Sequence, residues 1–319
     1  MQNPLITFII PAYNAAPYVE TCIESVFRID LHGRNREVIA VNDGSTDSTP
    51  EVLRRCRHAH PTLRLLEQEN MGLSMARNNA MAMAQGEYIC FVDADDILDS
   101  TCPTEDIMAA MEDNAIDIIG ISCRQTETDG RTAHYRRYVP EYNRVYTPAR
   151  EFMRGKNLFP CAYAYLFRRE FLQKEQLEFM PFTLHEDEDF TTRAFALADS
   201  FMAIDAEWYV RMVREESITT TKDKEKQKQK LRDVVKIIAS LDNFAAANTV
   251  RKDCMACKMD YLVVDTLRLL LRQRHDIAFR KEILHTLKAM GRFPLRWRWN
   301  AKYIVFNLFT RLYLCAFLE

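Results

Sequence analysis

From residue 5 to residue 122 the sequence switches repeatedly between two periods, and that alternation limits the chain to one broad class of fold. Leu5–Ile10 is a short run rich in β-branched residues, closed by Pro11. Val19, Ile23, Val26 and Phe27 then fall at helical spacing. Glu37–Val41 reads as a second buried strand, ended by Asn42, Asp43 and Gly44. A helix start follows, with Ser45, Thr46, Asp47 and Ser48 as cap candidates and Pro50 in the first turn. Leu63–Leu66 is a short third strand, and Ser74–Ala84 a small-residue helix with Ser74 as its cap. Glu87–Val92 and Asp117–Ser122 complete the strands of this region. Near-continuous apolar strands separated by helices predict an α/β fold, a mainly parallel sheet with helices on both faces.

Beyond this region the pattern is mixed. Short strands are expected at Tyr163–Phe167, Phe201–Ile204 and Trp208–Met212, and helices at Pro148–Arg154 and Glu186–Ala198. After Thr221 the run KDKEKQKQKLRD reads as a solvated helix face, and helical periodicity continues nearly to the end. The expected organisation is an α/β unit over 1–215 and an all-helical extension over 216–319.

Composition removes several function classes. A net charge of −2 gives no global field to attract nucleic acid. The 9 cysteines, an odd number scattered from Cys22 to Cys315, fit reduced thiols better than a disulfide framework. Cys254 and Cys257 are one close pair with no second pair and no nearby histidine, so they make a poor zinc site. The N-terminus lacks a basic leader region and a cleavage site, and no uncharged apolar stretch is long enough to cross a membrane.

The strand ends carry the chemistry. Ligands in open α/β sheets bind outside the carboxyl ends of the strands. The fourth strand, YICFV, ends on Asp93, Ala94, Asp95 and Asp96. One aspartate would serve as a helix cap, but three carboxylates in four positions repel one another. They suit either a solvated turn or a hard cation such as Mg²⁺ or Mn²⁺ held together with substrate phosphates. Asp43 closes the second strand and Tyr13-Asn14 follows the first, so several polar ends converge on one edge of the sheet.

In order and spacing these stretches resemble the inverting family-2 glycosyltransferases of GT-A fold. The matching features are PAYN after strand one, VNDGSTDST after strand two, N-x-G-x-x-x-A-R-N followed by A-x-G-E-Y-I, and D-x-D-D. The likeness covers about residues 4–220 and leaves the helical extension unexplained. It implies an enzyme of polysaccharide biosynthesis that moves a sugar from a nucleotide-diphospho-sugar, UDP by family habit, to a hydroxyl of a glycan or glycolipid. Matched position by position, Asp43 contacts the nucleobase, Pro11 and Tyr13 line its pocket, and Asp93 faces the ribose. Asp95 coordinates Mn²⁺ or Mg²⁺, and Asp96 orients a sugar or only the loop. Arg77 and Asn78 close the pocket beside the diphosphate or brace the loop. Arg211 or Arg214 reaches the diphosphate, in uncertain register, with a surface salt bridge to Glu215 or Glu216 as the alternative.

A base for the acceptor hydroxyl is sought in HEDEDF at 185–190. A helix N-terminus attracts acidic residues by itself, but five successive titratable residues exceed that need. The family's Glu-Asp pair falls on Glu186 and Asp187, making Asp187 the base and Glu186 its neighbour on the acceptor side. His185 and Glu188 are the alternatives.

Residues 292–318 begin with Arg292, Arg296, Arg298 and Lys302, carry Trp297 and Trp299, and end in an apolar helix. That pattern suits a helix lying in a membrane surface, or one docked on residues 255–271. The expected location is cytoplasmic and, with the former, peripheral on the inner face of the cell membrane.

Three other readings compete. A sugar-phosphate nucleotidylyltransferase needs a glycine-rich loop after strand one, where this chain has Pro11-Ala12-Tyr13-Asn14; a dinucleotide oxidoreductase needs G-x-G-x-x-G, which is missing. A catalytically degenerate nucleotide-sugar-binding or scaffold subunit is the non-enzyme alternative.

Overall fold

The computed structural model describes residues 3–112, 116–127, 129–136, 141–154, 158–213, 223–248, 252–272, 276–295, 304, 307 and 308. The chain divides into two compact units, residues 1–153 with 159–217 and residues 154–158 with 218–319.

The first unit is built on one ten-stranded sheet. Its strands are β1 (Ile6–Ala12), β2 (Arg36–Asp43), β3 (Leu63–Gln68), β4 (Tyr88–Phe91), β5 (Ile97–Leu98), β6 (Ile118–Thr126), β7 (Thr132–Arg136), β8 (Val145–Tyr146), β9 (Tyr165–Arg168) and β10 (Phe201–Met212). The order across the sheet is β3-β2-β1-β4-β9-β6-β10-β5, with β7 on β6 and β8 on β10. β3, β2, β1 and β4 pair in parallel. β9 runs antiparallel to both β4 and β6, which restores the original direction, and β10 is parallel to β6. The six strands β1, β2, β3, β4, β6 and β10 therefore end on one edge, and the sheet is mainly parallel with an antiparallel insertion. β1 is buried throughout, as a central strand covered on both faces must be.

Helices α1 (Val19–Arg28), α2 (Thr49–Ala59), α3 (Leu73–Met83), α4 (Glu105–Glu112), α5 (Arg150–Met153), α6 (Arg169–Lys174) and α7 (Glu186–Leu197) complete this unit. α3 buries Ala76 and Ala80 completely, so its backbone lies close on β1 and β2. Gly86 makes the turn into β4 possible, because a Cβ there would strike the backbone of Ile6 and Thr7.

Several local expectations need correction. Pro11 does not close β1, which continues to Ala12. β4 pairs with β1 only as far as Ile9, and Pro11 faces the same side two residues on, so no ladder hydrogen bond is lost. Ser74 is not a cap: α3 starts at Leu73 behind Gly72, whose φ of 83° suits only glycine, and Ser74 is buried in the first turn. The two strands expected at 201–204 and 208–212 are one strand, β10, with a register shift against β6 between Ile204 and Tyr209. Strands β5, β7 and β8 and helix α6 are too short to leave a readable period.

The second unit is helical over its described residues, with α8 (Lys224–Ala247), α9 (Lys252–Arg272) and α10 (Ile277–Ala289). Asp223 and Asp276 cap α8 and α10 through backbone N–H groups. The charged run is only partly a solvated face: Lys228 reaches Asp276 at 2.9 Å and Arg232 reaches Glu282 at 2.7 Å, both at α10. Arg292 pairs with Asp242, and Phe293 and Leu295 are buried. Trp297, Trp299, Arg296, Arg298 and Lys302 lie outside the described residues. Among the described residues no helix is long and apolar enough to cross a membrane.

Candidate active site

The carboxyl ends of β1, β2 and β4 gather the first group of side chains. After β1, Tyr13 is 50% exposed. The Asn14 side chain accepts from the N–H of Thr46 at 2.8 Å, and the N–H of Ala15 donates to Thr49 Oγ1 at 2.8 Å. The exits from β1 and β2 are thereby sewn together. Asp47 belongs to this seam, accepting from the N–H groups of Thr49 and Ala16.

Asp43 ends β2 with a buried carboxylate. Its Oδ1 accepts from Gln68 Nε2 and the N–H of Met71, both at 2.8 Å, and Oδ2 from the N–H of Gly72 at 2.9 Å. It ties the loop after β3 to β2. An ionised carboxylate offers about four acceptor positions, so one remains for a ligand N–H.

The three aspartates after β4 have three different environments. Asp93 is 29% exposed and Asp95 is exposed. Asp96 turns inward at 4% exposure, with Oδ2 accepting from the Tyr209 hydroxyl at 2.7 Å and Oδ1 from the N–H of Met212 at 2.8 Å. Burial, with Asp93 and Asp95 adding repulsion, pushes the Asp96 carboxyl up to about 7. These two hydrogen bonds tie the loop after β4 to β10.

The second group arrives on α7. Phe190 stacks on Phe179 at 3.9 Å and meets Phe91 of β4 edge-on at 6.2 Å. Asn78 of α3 both donates to and accepts from the backbone of Phe179, at 2.9 Å each way. These contacts deliver the first turn of α7 to the end of β4. Glu186 is buried and Asp187 is 17% exposed there. Asp187 Oδ2 accepts from the N–H of Ala162 at 3.1 Å. Burial raises the Asp187 carboxyl against the opposing pull of Arg77, and burial with repulsion from Asp187 pushes Glu186 up to about 7. Asp189 is claimed by Arg193 at 2.6 Å one turn on, which accounts for part of the acidic run as helix structure. His185 is exposed, with a left-handed backbone at φ 65°.

Arg77 joins the two groups. Its Nη2 donates to Asp93 at 2.9 Å, and its Nη1 to Glu186 at 2.9 Å and Asp187 at 2.7 Å. Arg77, Asp93, Glu186 and Asp187 thus form one cluster. Arg211 lies apart from it, donating to Gln125 at 3.0 Å with its guanidinium over the Tyr135 ring. Arg214 lies outside the described residues. Sequence reasoning passed over Tyr209 and the Ala162 N–H. Tyr209 is a polar-tipped residue in an apolar strand, WYVRM, and that is the one signal it offered.

The donor set suits a divalent cation only in part-protein form. Among the described residues no three His, Cys, Asp or Glu side chains are placed to hold a metal ion. A single exposed carboxylate at Asp95, beside the half-exposed Asp93, is what Mg²⁺ or Mn²⁺ needs when phosphate oxygens and water supply the other positions.

A mainly parallel sheet whose strand ends carry this cluster defines a GT-A-type fold, and solved structures share it. TarS of Staphylococcus aureus, solved with UDP-GlcNAc, superposes with a TM-score of 0.57 at 18% identity over 90% of this chain and 87% of that one. The mannosyltransferase PcManGT of Pyrobaculum calidifontis, solved with GDP-Man and Mn²⁺, gives 0.56 at 19% identity over 100% of this chain and 84% of that one. At such identities the likeness establishes the fold. Residues 7–175 match the profile of glycosyl transferase family 2, and the chain belongs to that family. Among curated relatives, the uncharacterized glycosyltransferase EpsJ of Bacillus subtilis is 33% identical over 225 residues, which are 68% of this chain and 63% of EpsJ. Chondroitin synthase of Pasteurella multocida is 32% identical over 144 residues, 44% of this chain and 14% of the synthase. The chain thus spans under two thirds of the length of these relatives. The family match ends before α7, so the family profile does not extend to Asp187.

Proposed function

We propose that this chain is an inverting glycosyltransferase that moves a sugar from a nucleotide-diphospho-sugar to a hydroxyl of a glycan or glycolipid. The observation that carries the reading is the Asp93–Arg77–Asp187 connection, which holds a carboxylate from α7 at the end of β4. The nucleobase would lie against Tyr13 and Asp43, beside Pro11, and the ribose against Asp93. Asp95 would hold Mn²⁺ or Mg²⁺, whose charge stabilises the departing diphosphate. Asp187 accepts the proton of the acceptor hydroxyl as its oxygen attacks the anomeric carbon from the face opposite the leaving group. The new C–O bond forms as the bond to the diphosphate breaks, so the configuration inverts. TarS with UDP-GlcNAc supports UDP, PcManGT with GDP-Man supports GDP, and chondroitin synthase supports a glycan acceptor. Membrane contact by the basic, Trp-bearing stretch would begin beyond Leu295, because Phe293 and Leu295 are buried in the protein.

Thermal unfolding with UDP, GDP or CMP, each with and without Mn²⁺, tests the reading. A ligand at a hundredfold excess over its Kd stabilises by about 2.7 kcal/mol. A metal-dependent shift with one nucleotide, lost in Asp95→Asn, is the expected result. No shift with any nucleotide would favour the degenerate-subunit alternative.

A further inference from the structure

The surroundings of Arg77 do not leave it free to meet a diphosphate. It is 1% exposed, and both terminal nitrogens are committed to carboxylates. Its guanidinium carbon lies 5.0 Å over the Phe179 ring and 5.6 Å over the Phe91 ring. Three of its five N–H groups serve carboxylates and Nε is buried, so a phosphate finds neither an approach nor an unbalanced charge.

Resting on the reading of Asp187 as the base, we propose that Arg77 is not a donor ligand but a positioning residue that fixes the base relative to the donor. Asp187 is held at two points. Oδ1 takes Arg77 Nη1 at 2.7 Å and Oδ2 takes the Ala162 N–H at 3.1 Å. One hydrogen bond would let the carboxylate rotate; two set its plane. Each oxygen keeps a lone pair for the acceptor hydroxyl. The other end of the same rigid guanidinium holds Asp93 at 2.9 Å. Base and ribose-side carboxylate are therefore spaced by one planar group, which sits 110 residues before the base in sequence. A general base must come within about 2.6–3.2 Å of its proton, and a displacement of about 1 Å can cost about a hundredfold in rate. A lysine, as a point charge, cannot set both directions at once.

The test uses the full chain with UDP-GlcNAc or GDP-mannose, whichever nucleotide stabilises the wild type. Donor hydrolysis, with water as acceptor, and nucleotide Kd in Mn²⁺ are measured for Arg77→Lys, alone and with Asp187→Asn. The expected result is a loss of about a hundredfold in turnover with Kd within about twofold. In the Asp187→Asn background the same change should cost less than about threefold, since the base it serves is gone. A tenfold weaker Kd, an equal loss in both backgrounds, or unchanged turnover would each overturn the proposal. Should Arg77→Lys fail to fold, Ala162→Pro serves instead. It deletes the other hold on Asp187, and the extended Cys161 before it (φ −66°, ψ 118°) accepts a following proline. Unchanged turnover there would overturn the proposal equally. A wild type that binds no nucleotide and releases none from either donor would overturn the glycosyltransferase reading itself, and this role with it.

Discussion

The Tyr209 hydroxyl donates to Asp96 Oδ2 at 2.7 Å, from a strand 113 residues away in sequence. The Tyr209 phenol oxygen in turn accepts from the N–H of Asp93 at 3.2 Å. One phenol thus fixes both the buried carboxylate and the backbone that carries the half-exposed one. Stacking on Tyr163 at 4.4 Å holds the ring in place. Three carboxylates share one strand end because only two face outward and the third is absorbed by β10.

Tyr209→Phe should therefore do more than remove a hydroxyl. It leaves a buried carboxylate short of one donor and the Asp93 N–H without its acceptor. Stability should fall by about 1–3 kcal/mol, read as a lower urea midpoint with an unchanged slope. A variant within about 0.5 kcal/mol of wild type would mean that water replaces the phenol at no cost.

Asp187→Asn should lower sugar transfer by about 10²–10⁴-fold, the usual contribution of a general base. Nucleotide binding with Mn²⁺ should persist, because Asp43, Asp93 and Asp95 are untouched, although the amide can accept only from Arg77 or from the Ala162 N–H and not from both. Transfer at the wild-type rate would move the base to His185 or Glu188.

The α/β fold was legible in the sequence because the central strands are continuous apolar runs with sharp polar ends. What was lost had no local period. β5 and β8 are two residues each, too short to show one. Pro11 misled because its cost depends on whether a neighbouring strand is still present, which is a tertiary fact. In the site, residue types were readable and partners were not. Nothing in MARN shows that α7 brings Glu186 and Asp187 to Arg77. Asp96 looks like a ligand group until β10 supplies Tyr209 and the Met212 N–H. Arg211 likewise has its partner, Gln125 of β6, only in the folded chain.

Glu186 gives a pH signature. Its carboxyl is pushed up to about 7 in the folded chain by burial and by Asp187, against an ordinary value of 4.5. The folded state therefore keeps a proton that the unfolded chain releases as pH rises past the ordinary value. Stability should decline from about pH 4.5 to about pH 7 on this account and then level off. Glu186→Gln cannot lose a proton, so its stability relative to wild type should grow across that window, by an amount on the order of 1–3 kcal/mol. Urea unfolding of both proteins at pH 5, 6, 7 and 8 tests this; a constant difference would mean that Glu186 titrates alike in both states.

Gly44 and Gly33 form a matched pair for the loop that Asp43 holds. Both have positive φ, 66° and 80°, so alanine at either position meets the same left-handed backbone cost. They differ in space. A Cβ at Gly33 has nothing within 4 Å, whereas one at Gly44 would lie 2.5 Å from the backbone nitrogen of Asn70. That nitrogen belongs to the segment whose next two N–H groups are bound by Asp43. Gly33→Ala should cost about 1 kcal/mol and leave nucleotide affinity unchanged. Gly44→Ala should cost about 2–4 kcal/mol and weaken nucleotide binding, because the loop must move away from Asp43. Urea midpoints and nucleotide Kd measured side by side separate the two effects. Equal losses at both glycines would show that the left-handed backbone alone sets the cost and that the approach to Asn70 relaxes freely.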